Sequence, residues 1–553
     1  MANVVEVRNL HVKALTDAGR EVEIIRGVDL DIADGEILAL IGESGSGKTT
    51  IALTLMGYAR PGCKITQGRI CLGGQDVTAM SEKKRANLRG TQAAYVPQSA
   101  AAAFNPSQRI MDQVIEVVRI HGLMPAAKAR RKAVDLFRAL ALPEPETIGQ
   151  RYPHQVSGGQ LQRLSAAMAL IGDPRIMIFD EPTTALDVTT QIEVLRAFKS
   201  VMRSRGMAGV YVSHDLAVVA QIADRIMVLK NGEVQEVGTT EQIVTNPRHD
   251  YTKALIGAAH PTGVQAGATD AKPAVRPIIE VDKIVSGYGP AGTDGMPQVV
   301  ALNDVSLQLQ PGHNLGVIGE SGSGKSTLAR TIAGLLPQAL GSVRLHGADL
   351  PREARHRTKE QLRKLQIVFQ LADTALNPNR SVQSILSRPL RFYHGLRGSE
   401  CDARVRELLD MVHLPARLMY RLPGELSGGQ KQRVNLARAL AAKPDVILCD
   451  EVTSALDTVV ASAVLDLLRE LQRELGLSYL FISHDLSTIE AICDQVMVMY
   501  RGKKVEEMPT SRMKEGAEHP YSRLLISSVP QLNTGWLDSL EQDPELVRAF
   551  ANR

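Results

Sequence analysis

The stretch GESGSGKT, residues Gly42–Thr49, decides the fold of this chain. It follows an apolar run, 37–41, that predicts a buried strand, and it precedes a run that predicts a helix. Glycines let such a turn direct its backbone N–H groups toward one point, and the helix N-terminus adds positive charge there. The stretch therefore predicts a phosphate-binding loop, with Lys48 as its cation and the hydroxyl of Thr49 as a ligand for Mg²⁺.

The same motif returns as GESGSGKS at Gly319–Ser326, and other motifs return with it at nearly the same interval. The repeated pairs are Lys48 and Lys325, Gln98 and Gln370, Ser157 and Ser427, Asp180 and Asp450, and His214 and His484. Such an interval indicates two copies of one domain. We predict domains at 1–260 and 278–530, a flexible Ala-, Gly- and Pro-rich linker at 261–277, and a tail at 531–553.

Chain length, net charge and the length of the apolar runs limit the classes of protein to which this chain can belong. A chain of 553 residues suits two or more domains. Its net charge of +4 is nearly balanced, so it gives no electrostatic reason to expect a nucleic-acid partner. The longest apolar runs fall far short of the roughly 20 residues that span a bilayer, so we expect that the chain does not cross a membrane by itself.

Strand-like and helix-like segments alternate within each copy, which predicts an α/β fold with parallel strands. Between Ser99 and Pro153 the sequence becomes helical and rich in arginine, with 126–141 as its best helical segment. We interpret this part as a helical subdomain inserted between two halves that build the sheet.

Two acidic residues follow a later apolar run in each copy, where IMIF and VILC both lead into Asp-Glu. Alone, such a pair is more often an ordinary solvated strand end. The succeeding TTALD and TSALD favour a functional site, in which Asp180 and Asp450 would hold Mg²⁺ through water and Glu181 and Glu451 would polarise the attacking water.

Three further repeated features support this site. The SGGQ segments at 157–160 and 427–430 precede helices, where a serine is a common cap but where an anion can also bind. A histidine follows a buried strand in YVSHD and in FISHD, and could contact the γ-phosphate. A glutamine ends YVPQ and IVFQ where the insert begins, and could ligate Mg²⁺.

Together these motifs resemble those of the ATP-binding-cassette ATPases, and the resemblance covers nearly all of both copies. It implies two P-loop NTPase ABC cassettes in tandem, each with a RecA-like α/β core, an antiparallel β subdomain and a helical insert. It also implies that the cassettes pair head to tail within the chain, with each ATP between the phosphate loop of one and the SGGQ of the other. Neither copy lacks a catalytic residue, so both are expected to hydrolyse ATP.

The resemblance assigns the site residues one by one. Those implied in catalysis are Glu181, Glu451, His214 and His484. Those implied in binding ATP are Gly42, Glu43, Ser44, Gly45, Ser46, Gly47, Lys48, Thr49, Thr50, Gln98, Ser157, Gly158, Gly159, Gln160, Tyr288, Gly319, Glu320, Ser321, Gly322, Ser323, Gly324, Lys325, Ser326, Thr327, Gln370, Ser427, Gly428, Gly429 and Gln430. Those implied in holding Mg²⁺ are Thr49, Gln98, Asp180, Ser326, Gln370 and Asp450.

The two sites differ at one position. Members of the family often place an aromatic residue near the first strand to stack on adenine, and Tyr288 fits that place in the second copy. The corresponding position of the first copy is Ala14. We therefore expect site two to bind nucleotide more tightly than site one.

Finer features are similar to the dipeptide, oligopeptide and nickel branch of bacterial importers. They are AFNP at 103–106 and ALNP at 375–378, and HDYTKAL at 249–255 and HPYSRLL at 519–525. The resemblance implies an energy-coupling subunit on the cytoplasmic face of the inner membrane. Its partners would be two permease subunits and, indirectly, an extracytoplasmic solute-binding protein.

Two alternatives stay open from the sequence. The first is a cassette ATPase of a soluble complex, either phosphonate-cleaving or ribosome-acting, although the short uncharged linker counts against a ribosomal factor. The second is an exporter, against which the importer-like features argue. The solute itself is not named by any residue of the chain, because an ATPase subunit does not touch it.

Overall fold

A computed structural model of the chain describes residues 3–15, 19–184, 186–259, 276–293, 295–454, 456–543, 545–546 and 550. Contacts divide the chain into two compact units. One consists of residues 1–259 and 528–541, and the other of residues 260–527 and 542–553. Most of the linker predicted at 261–277 lies outside the described residues.

The first unit contains two sheets. Its strands are β1 (Asn3–Leu15), β2 (Glu21–Ala33), β3 (Ile37–Ile41), β4 (Cys63–Leu72), β5 (Gln75–Asp76), β6 (Ala93–Val96), β7 (Ile176–Asp180), β8 (Ala208–Val212), β9 (Arg225–Lys230) and β10 (Glu233–Thr239). The main sheet has the order β10-β9-β3-β8-β7-β6, and the second sheet has the order β2-β1-β4-β5.

Strand β3 lies inside the main sheet, parallel to its neighbours β8 and β9. Every residue of β3 is buried, as expected for a short, continuous apolar run covered on both faces. Strands β6, β7 and β8 are also parallel, so their carboxyl ends meet at one edge together with that of β3. Because ligands bind outside this edge in open α/β sheets, the edge positions the candidate site.

The second sheet of this unit is antiparallel and packs on the first. Its long strands alternate buried and exposed residues, which is the pattern of a sheet with one solvated face. One apolar core joins the two sheets, and it includes Val12 and Ile25 from the antiparallel sheet and Leu40 from the main sheet.

Helices surround the main sheet and form the insert. They are α1 (Lys48–Thr54), α2 (Glu82–Leu88), α3 (Ala100–Ala103), α4 (Ile110–Val114), α5 (Glu116–His121), α6 (Ala126–Ala139), α7 (Gly158–Leu170), α8 (Val188–Arg205), α9 (Leu216–Ile222), α10 (Thr240–Thr245) and α11 (Asp250–Ala259), with 3₁₀ turns at Ile148–Gln150 and Pro153–Gln155. Helices α3 to α6 stand between β6 and α7, where the sequence predicts a helical subdomain.

The second unit repeats this plan. Its strands are β11 (Ile279–Ala291), β12 (Pro297–Leu309), β13 (Asn314–Ile318), β14 (Leu340–Leu345), β15 (Ala348–Asp349), β16 (Leu365–Val368), β17 (Val446–Asp450), β18 (Ser478–Ile482), β19 (Gln495–Tyr500) and β20 (Lys503–Pro509). The sheet orders, β16-β17-β18-β13-β19-β20 and β12-β11-β14-β15, match those of the first unit. The predicted fold class, two tandem α/β cassettes of the same architecture, is confirmed.

The helices of the second unit follow the same order as those of the first. They are α12 (Lys325–Ile332), α13 (Lys359–Lys364), α14 (Ala372–Ala375), α15 (Val382–Pro389), α16 (Gly398–Met411), α17 (Gly428–Leu440), α18 (Thr458–Leu475), α19 (Leu486–Ile492) and α20 (Pro520–Ser527). Short turns lie at Ala354–His356, Leu390–His394, Ala416–Tyr420, Pro423–Glu425 and Thr510–Lys514, of which Leu390–His394 is a π-helix.

The segment 528–541 belongs to the first unit, although it follows the second unit in the chain. It contains the short helix α21 (Trp536–Ser539), and both Trp536 and Leu537 are buried. The sequence predicts only a tail from residue 531. Its docking depends on tertiary contacts that no local pattern announces.

Candidate functional site

The loop between β3 and α1 has a shape that requires glycine. A Cβ atom at Gly42 would lie 2.0 Å from the carbonyl oxygen of Leu229, and one at Gly47 would lie 2.3 Å from the Cδ1 atom of Ile25. The φ angles of the two glycines, 145° and 97°, are ones that other residues rarely adopt. The predicted phosphate-binding turn is therefore packed closely against β9 and β2.

The lysine of each loop is buried and bonded to the loop itself. Lys48 donates from its Nζ atom to the carbonyl oxygen of Gly42 at 2.7 Å and to that of Glu43 at 2.8 Å. Lys325 makes the corresponding bonds at the same two distances. In each loop the positive charge is thus fixed at the start of the following helix.

The loop hydroxyl meets the strand-end carboxylate in both units. Thr49 donates from its Oγ1 atom to the Oδ1 atom of Asp180 at 2.8 Å, and Ser326 donates to Asp450 at the same distance. Both aspartates are almost fully buried. Burial raises the pKa of Asp450, although the bond from Ser326 opposes this. Each unit therefore presents a hydroxyl and a carboxylate side by side, which is an oxygen donor set that Mg²⁺ accepts.

A tyrosine outside the predicted site residues touches one of these carboxylates. Tyr95, in β6, donates its hydroxyl to the Oδ2 atom of Asp180 at 2.7 Å. Burial and this bond raise the pKa of Tyr95. The corresponding residue of β16 is Ile367, so the second unit lacks the hydroxyl. Within a run of apolar strand residues, Tyr95 gives no signal by itself.

The predicted catalytic glutamates share an unusual backbone conformation. Glu181 has a φ angle of 48° and Glu451 has one of 50°, in the left-handed region that non-glycine residues seldom occupy. The N–H group of Glu181 donates to the carbonyl oxygen of Val212 at 2.9 Å, which holds the residue in place. Such strained residues cluster at functional sites.

A histidine and a glutamine contact each of these glutamates. The Nδ1 atom of His214 lies 3.3 Å from the Oε1 atom of Glu181, and Gln98 donates its amide N–H to the Oε2 atom at 3.0 Å. In the second unit, the Nδ1 atom of His484 lies 3.6 Å from Glu451. The corresponding glutamine donates to Glu451 at 2.6 Å. The residues that the sequence predicts for catalysis are thus brought together within each unit.

Charge interactions shift the pKa values of these pairs. Burial acts to raise the pKa of Glu181. The bond to His214 and the charges of His214 and Lys48 lower it by more, so the pKa lies below the ordinary value. The bond to Glu181 raises the pKa of His214 against the opposing effect of burial. The second unit shows the same directions for Glu451 and His484. Each pair is therefore stabilised as carboxylate and imidazolium.

The SGGQ segments start helices α7 and α17. Ser157 and Gln160 form a reciprocal cap, since each side chain accepts a hydrogen bond from the other's backbone N–H. A Cβ atom at Gly159 would lie 2.1 Å from the Cγ2 atom of Thr190, so the second glycine is needed for helix packing. Ser157 and Gly158 are exposed and remain accessible to a ligand. The segment at 427–430 forms the same cap.

Tyr288 lies beside the phosphate loop of the second unit. Its hydroxyl is 3.1 Å from the Oγ1 atom of Thr327, and the side chain is 41% exposed, so a face of the ring is open to a ligand. Tyr288 pairs with Val299 across the sheet, and Ala14 pairs with Val22 at the corresponding place of the first unit. The sequence alignment of Tyr288 with Ala14 agrees with this register.

Two more tyrosines outside the predicted set touch the loops. The hydroxyl of Tyr251 accepts from the N–H group of Glu43 at 3.3 Å, and that of Tyr521 accepts from the N–H group of Glu320 at 2.9 Å. Both lie in the closing stretches HDYTKAL and HPYSRLL, whose sequences indicate a family but predict no contact with the loops. Their repetition in both copies is the signal that could have found them.

The loops fit a bound phosphate group and its metal. Ser46 and Ser323 have buried hydroxyl oxygens without a hydrogen-bond partner among the described residues. Buried hydroxyls normally have a partner, so an added acceptor such as a phosphate oxygen suits both loops. Among the residues that the structure describes, no group of three His, Cys, Asp or Glu side chains could hold a metal ion. The hydroxyl–aspartate pair of each unit could supply two oxygen ligands to a bound Mg²⁺.

Comparison with known proteins identifies the family. The model of the ABC transporter family matches residues 25–184 and 302–454, which is more than half of the chain. The model of the oligopeptide/dipeptide transporter C-terminal region matches residues 235–283 and 505–552. Both matches occur once in each copy, in agreement with the duplication.

Curated relatives extend the similarity over nearly the whole chain. The glutathione import ATP-binding protein GsiA of Escherichia coli O157:H7 is 36% identical over 560 residues, covering 96% of this chain and 90% of the relative. The protein of the same name from Salmonella typhimurium (strain LT2) has the same identity and coverage. A solved structure, cbiO1 from Clostridium perfringens, is 27% identical and covers 44% of this chain and 92% of its own, with a TM-score of 0.39.

The structure also bears on the relation to a membrane. No helix within the described residues is long and apolar enough to span a lipid bilayer.

The motifs, the two matched cassette regions and the matched C-terminal regions agree on one family. The chain belongs to the ATP-binding ATPases of ABC transporters, in the importer branch that carries the oligopeptide/dipeptide transporter C-terminal region.

Proposed function

We propose that the chain supplies the energy for importing peptides or a related small solute. The observation that carries this proposal is the 36% identity to glutathione import ATP-binding proteins, which extends through both cassettes. Glutathione is a tripeptide, so the names of these relatives and of the oligopeptide/dipeptide family region indicate one class of solute. The family evidence favours import over a phosphonate-cleaving or ribosome-acting complex and over export.

We assign the chemistry to residues that lie together in each unit. In the first cassette, Lys48 binds the β- and γ-phosphates, Thr49 and Asp180 hold Mg²⁺, and Glu181 accepts a proton from the attacking water. His214 keeps Glu181 ionised and oriented. Bound Mg²⁺ would neutralise charge on the phosphate oxygens. The residues with the same roles in the second cassette are Lys325, Ser326, Asp450, Glu451 and His484.

Gln98 and Gln370 connect these sites to the helical inserts. Each glutamine bonds to the catalytic glutamate and stands two residues beyond a strand, where the insert begins. We propose that each of them is a ligand of Mg²⁺ and links the position of the insert to the nucleotide state. The bond of each to its glutamate supports the link, and the metal ligation stays a prediction.

ATPases of this importer family work with membrane permease subunits and a solute-binding protein. For this chain we propose two permease subunits, bound through the inserts that follow Gln98 and Gln370, and an extracytoplasmic binding protein that acts indirectly. The chain would then be a peripheral protein on the cytoplasmic face of the inner membrane, without a nucleic-acid partner. Pairing of the two cassettes, with Ser157 and Ser427 each completing the opposite ATP site, stays a prediction from the resemblance.

A transport assay tests the proposed function. The chain is co-expressed with candidate permeases and the binding protein, and uptake of labelled glutathione and of labelled dipeptide is measured in vesicles. We expect ATP-dependent uptake of at least one of them, lost when Glu181→Gln and Glu451→Gln are combined. A complete complex that hydrolyses ATP but takes up neither solute would contradict the assignment of the solute class.

A further inference from the structure

One peptide unit in each phosphate loop is hydrogen-bonded on both sides. In the first unit, the carbonyl oxygen of Gly42 accepts from Lys48 at 2.7 Å, and the N–H group of the same peptide, on Glu43, donates to the hydroxyl of Tyr251 at 3.3 Å. The lysine and the tyrosine therefore act on opposite ends of one amide. A hydrogen bond at one end of an amide polarises it and strengthens the bond at the other.

The second unit repeats this arrangement with its own residues. The carbonyl oxygen of Gly319 accepts from Lys325 at 2.7 Å, and the N–H group of Glu320 donates to the hydroxyl of Tyr521 at 2.9 Å. The two copies differ at many other positions. Since the same bonds recur in both units, a chance contact does not explain them.

A hydrogen-bonded turn holds each tyrosine in position. In the first unit, Glu236 of β10 accepts from the N–H groups of Arg248 and His249, both at 2.9 Å. The Nδ1 atom of His249 accepts from the N–H group of Tyr251 at 3.2 Å. Burial opposes ionisation of Glu236, but these bonds and one from the side-chain amide of Gln242 at 2.9 Å lower its pKa to about 2. The turn is therefore anchored on the edge strand of the main sheet.

The second unit anchors its tyrosine in the same way. Glu506 of β20 accepts from the N–H groups of Glu518 at 2.7 Å and of His519 at 3.2 Å. The Nδ1 atom of His519 in turn accepts from the N–H group of Tyr521 at 3.2 Å. The closing stretch of each copy thus presents a hydroxyl, and not merely a ring, to the phosphate loop.

Different side chains cover the two rings. The Nζ atom of Lys230 lies 4.4 Å from the ring centroid of Tyr251. The ring of Tyr521 packs against Tyr500 at 4.4 Å and against Phe550 at 5.6 Å between centroids. The packing around the rings has diverged between the copies, while the bond of each hydroxyl to the loop is kept.

We propose that Tyr251 and Tyr521 are positioning residues for ATP hydrolysis. Each hydroxyl fixes the orientation of the peptide whose carbonyl oxygen accepts the hydrogen bond of the phosphate-binding lysine. The matched C-terminal regions, which contain both tyrosines, then act directly on the nucleotide sites of their own cassettes. The inference rests on the phosphate-binding role proposed for Lys48 and Lys325. It does not depend on the solute, so hydrolysis by the purified chain tests it separately from transport.

The test removes only the hydroxyl groups. Tyr251→Phe and Tyr521→Phe, singly and together, keep the rings and their packing in the full chain. Because one neutral hydrogen bond is lost at each site, we expect kcat/KM for ATP to fall about three- to tenfold for each change. Most of the loss should appear in KM, since the lysine binds the phosphates before reaction.

Tyr479→Phe is the matched control. Tyr479 is buried and donates its hydroxyl to the carbonyl oxygen of Leu468 at 3.2 Å, in the core of the second unit. This variant should lose thermal stability and keep the KM for ATP. The proposal is overturned if Tyr251→Phe and Tyr521→Phe leave KM within twofold of the parent. It is equally overturned if the control raises KM as much as they do.

Discussion

Tyr95 donates its hydroxyl to the Oδ2 atom of Asp180 at 2.7 Å. The other oxygen of this carboxylate accepts from Thr49 at 2.8 Å, so both oxygens of Asp180 are bonded. Isoleucine replaces the tyrosine at the corresponding position 367, and the matching carboxylate of Asp450 lacks that donor. The two candidate sites therefore differ in the surroundings of a residue that is otherwise the same in both.

This difference predicts the effect of Tyr95→Phe. The change removes one donor from a buried carboxylate, and we expect the free energy of unfolding of the first unit to fall by about 1–3 kcal/mol. Thermal and denaturant unfolding measure the effect. Tyr420→Phe provides the control, because Tyr420 is 68% exposed and its hydroxyl should contribute little. Equal losses for both variants would contradict the role of the Tyr95 bond.

The two glutamates test whether both sites hydrolyse ATP. Glutamine keeps the size of Glu181 and Glu451 but cannot accept a proton, so each single substitution should lower the rate of hydrolysis at its own site by about a hundredfold or more, and each should lower total turnover. Phosphate release by the purified chain measures turnover. The exposed Glu474→Gln should leave it unchanged. If one substitution abolishes turnover and the other leaves it intact, only one site is active.

The sequence predicts those site residues whose role follows from a local motif. Glycine-rich turns and strand-end acids are defined by neighbours in the chain, and in the structure they meet at one sheet edge because parallel strands end together. Lys48, Asp180 and Glu181 could be named for this reason. Whether these residues carry out the reaction stays a prediction, which the preceding experiment tests.

The remaining features depend on contacts between residues far apart in the chain. Tyr251 reaches Glu43 across 208 positions, and Tyr95 reaches Asp180 across 85. A tyrosine in an apolar strand or helix is ordinarily a core residue, so neither position shows its hydroxyl bond in advance. The docking of 528–541 in the first unit is hidden for the same reason.

Because Tyr288 has its counterpart in Ala14, we predict that the two sites bind nucleotide with unequal affinities. Stacking of a base on an aromatic ring contributes about 1–3 kcal/mol in nucleic-acid proteins, so Tyr288→Ala should weaken ATP binding at site two by about 5- to 150-fold. Calorimetric titration measures each site separately when the other loop lysine, Lys48 or Lys325, is changed to alanine. The reciprocal variant Ala14→Tyr should tighten site one. Equal affinities of the two unmodified sites would refute the prediction.

The His–Glu pairs predict a pH dependence of stability. The pKa of His214 is raised by folding, so its contribution is complete below the unfolded value, about 6.5, and is lost as pH rises through the folded pKa. The pKa of Glu181 is lowered, so its contribution is present above about 4.5 and is lost as pH falls through the folded pKa. The pair stabilises the fold most between these two values.

His214→Gln measures this contribution. The difference in unfolding free energy between parent and variant should be largest near pH 5.5 and should shrink as pH rises through the raised pKa of His214. Denaturant unfolding at a series of pH values provides the measurement. His356→Gln, at an exposed histidine outside the site, controls for general effects of histidine loss. A difference for His214→Gln that does not change with pH would contradict the ion pair.

Hydrogen bonds of Gln221 hold the segment 528–541 in the first unit. The side chain of Gln221 donates to the carbonyl oxygens of Gln531 at 2.7 Å and Asn533 at 3.1 Å, and accepts from the N–H group of Leu537 at 2.9 Å. Alanine stands at the corresponding position 491 of the second unit.

Gln221→Ala should therefore release the segment. Three hydrogen bonds are lost and the partner groups on the backbone are left unsatisfied, so the remaining contacts, chiefly the burial of Trp536 and Leu537, hold the segment more weakly. We expect faster amide hydrogen exchange and faster proteolysis at 531–540. The emission maximum of Trp536 should move to longer wavelength, because the ring becomes exposed to water. Because Trp536 is the only tryptophan of the chain, its fluorescence reports on this segment alone. Lys199→Ala breaks only the exposed ion pair with Asp538 at 2.7 Å and should have a much smaller effect. Equal effects of Gln221→Ala and Lys199→Ala would show that Gln221 does not anchor the segment.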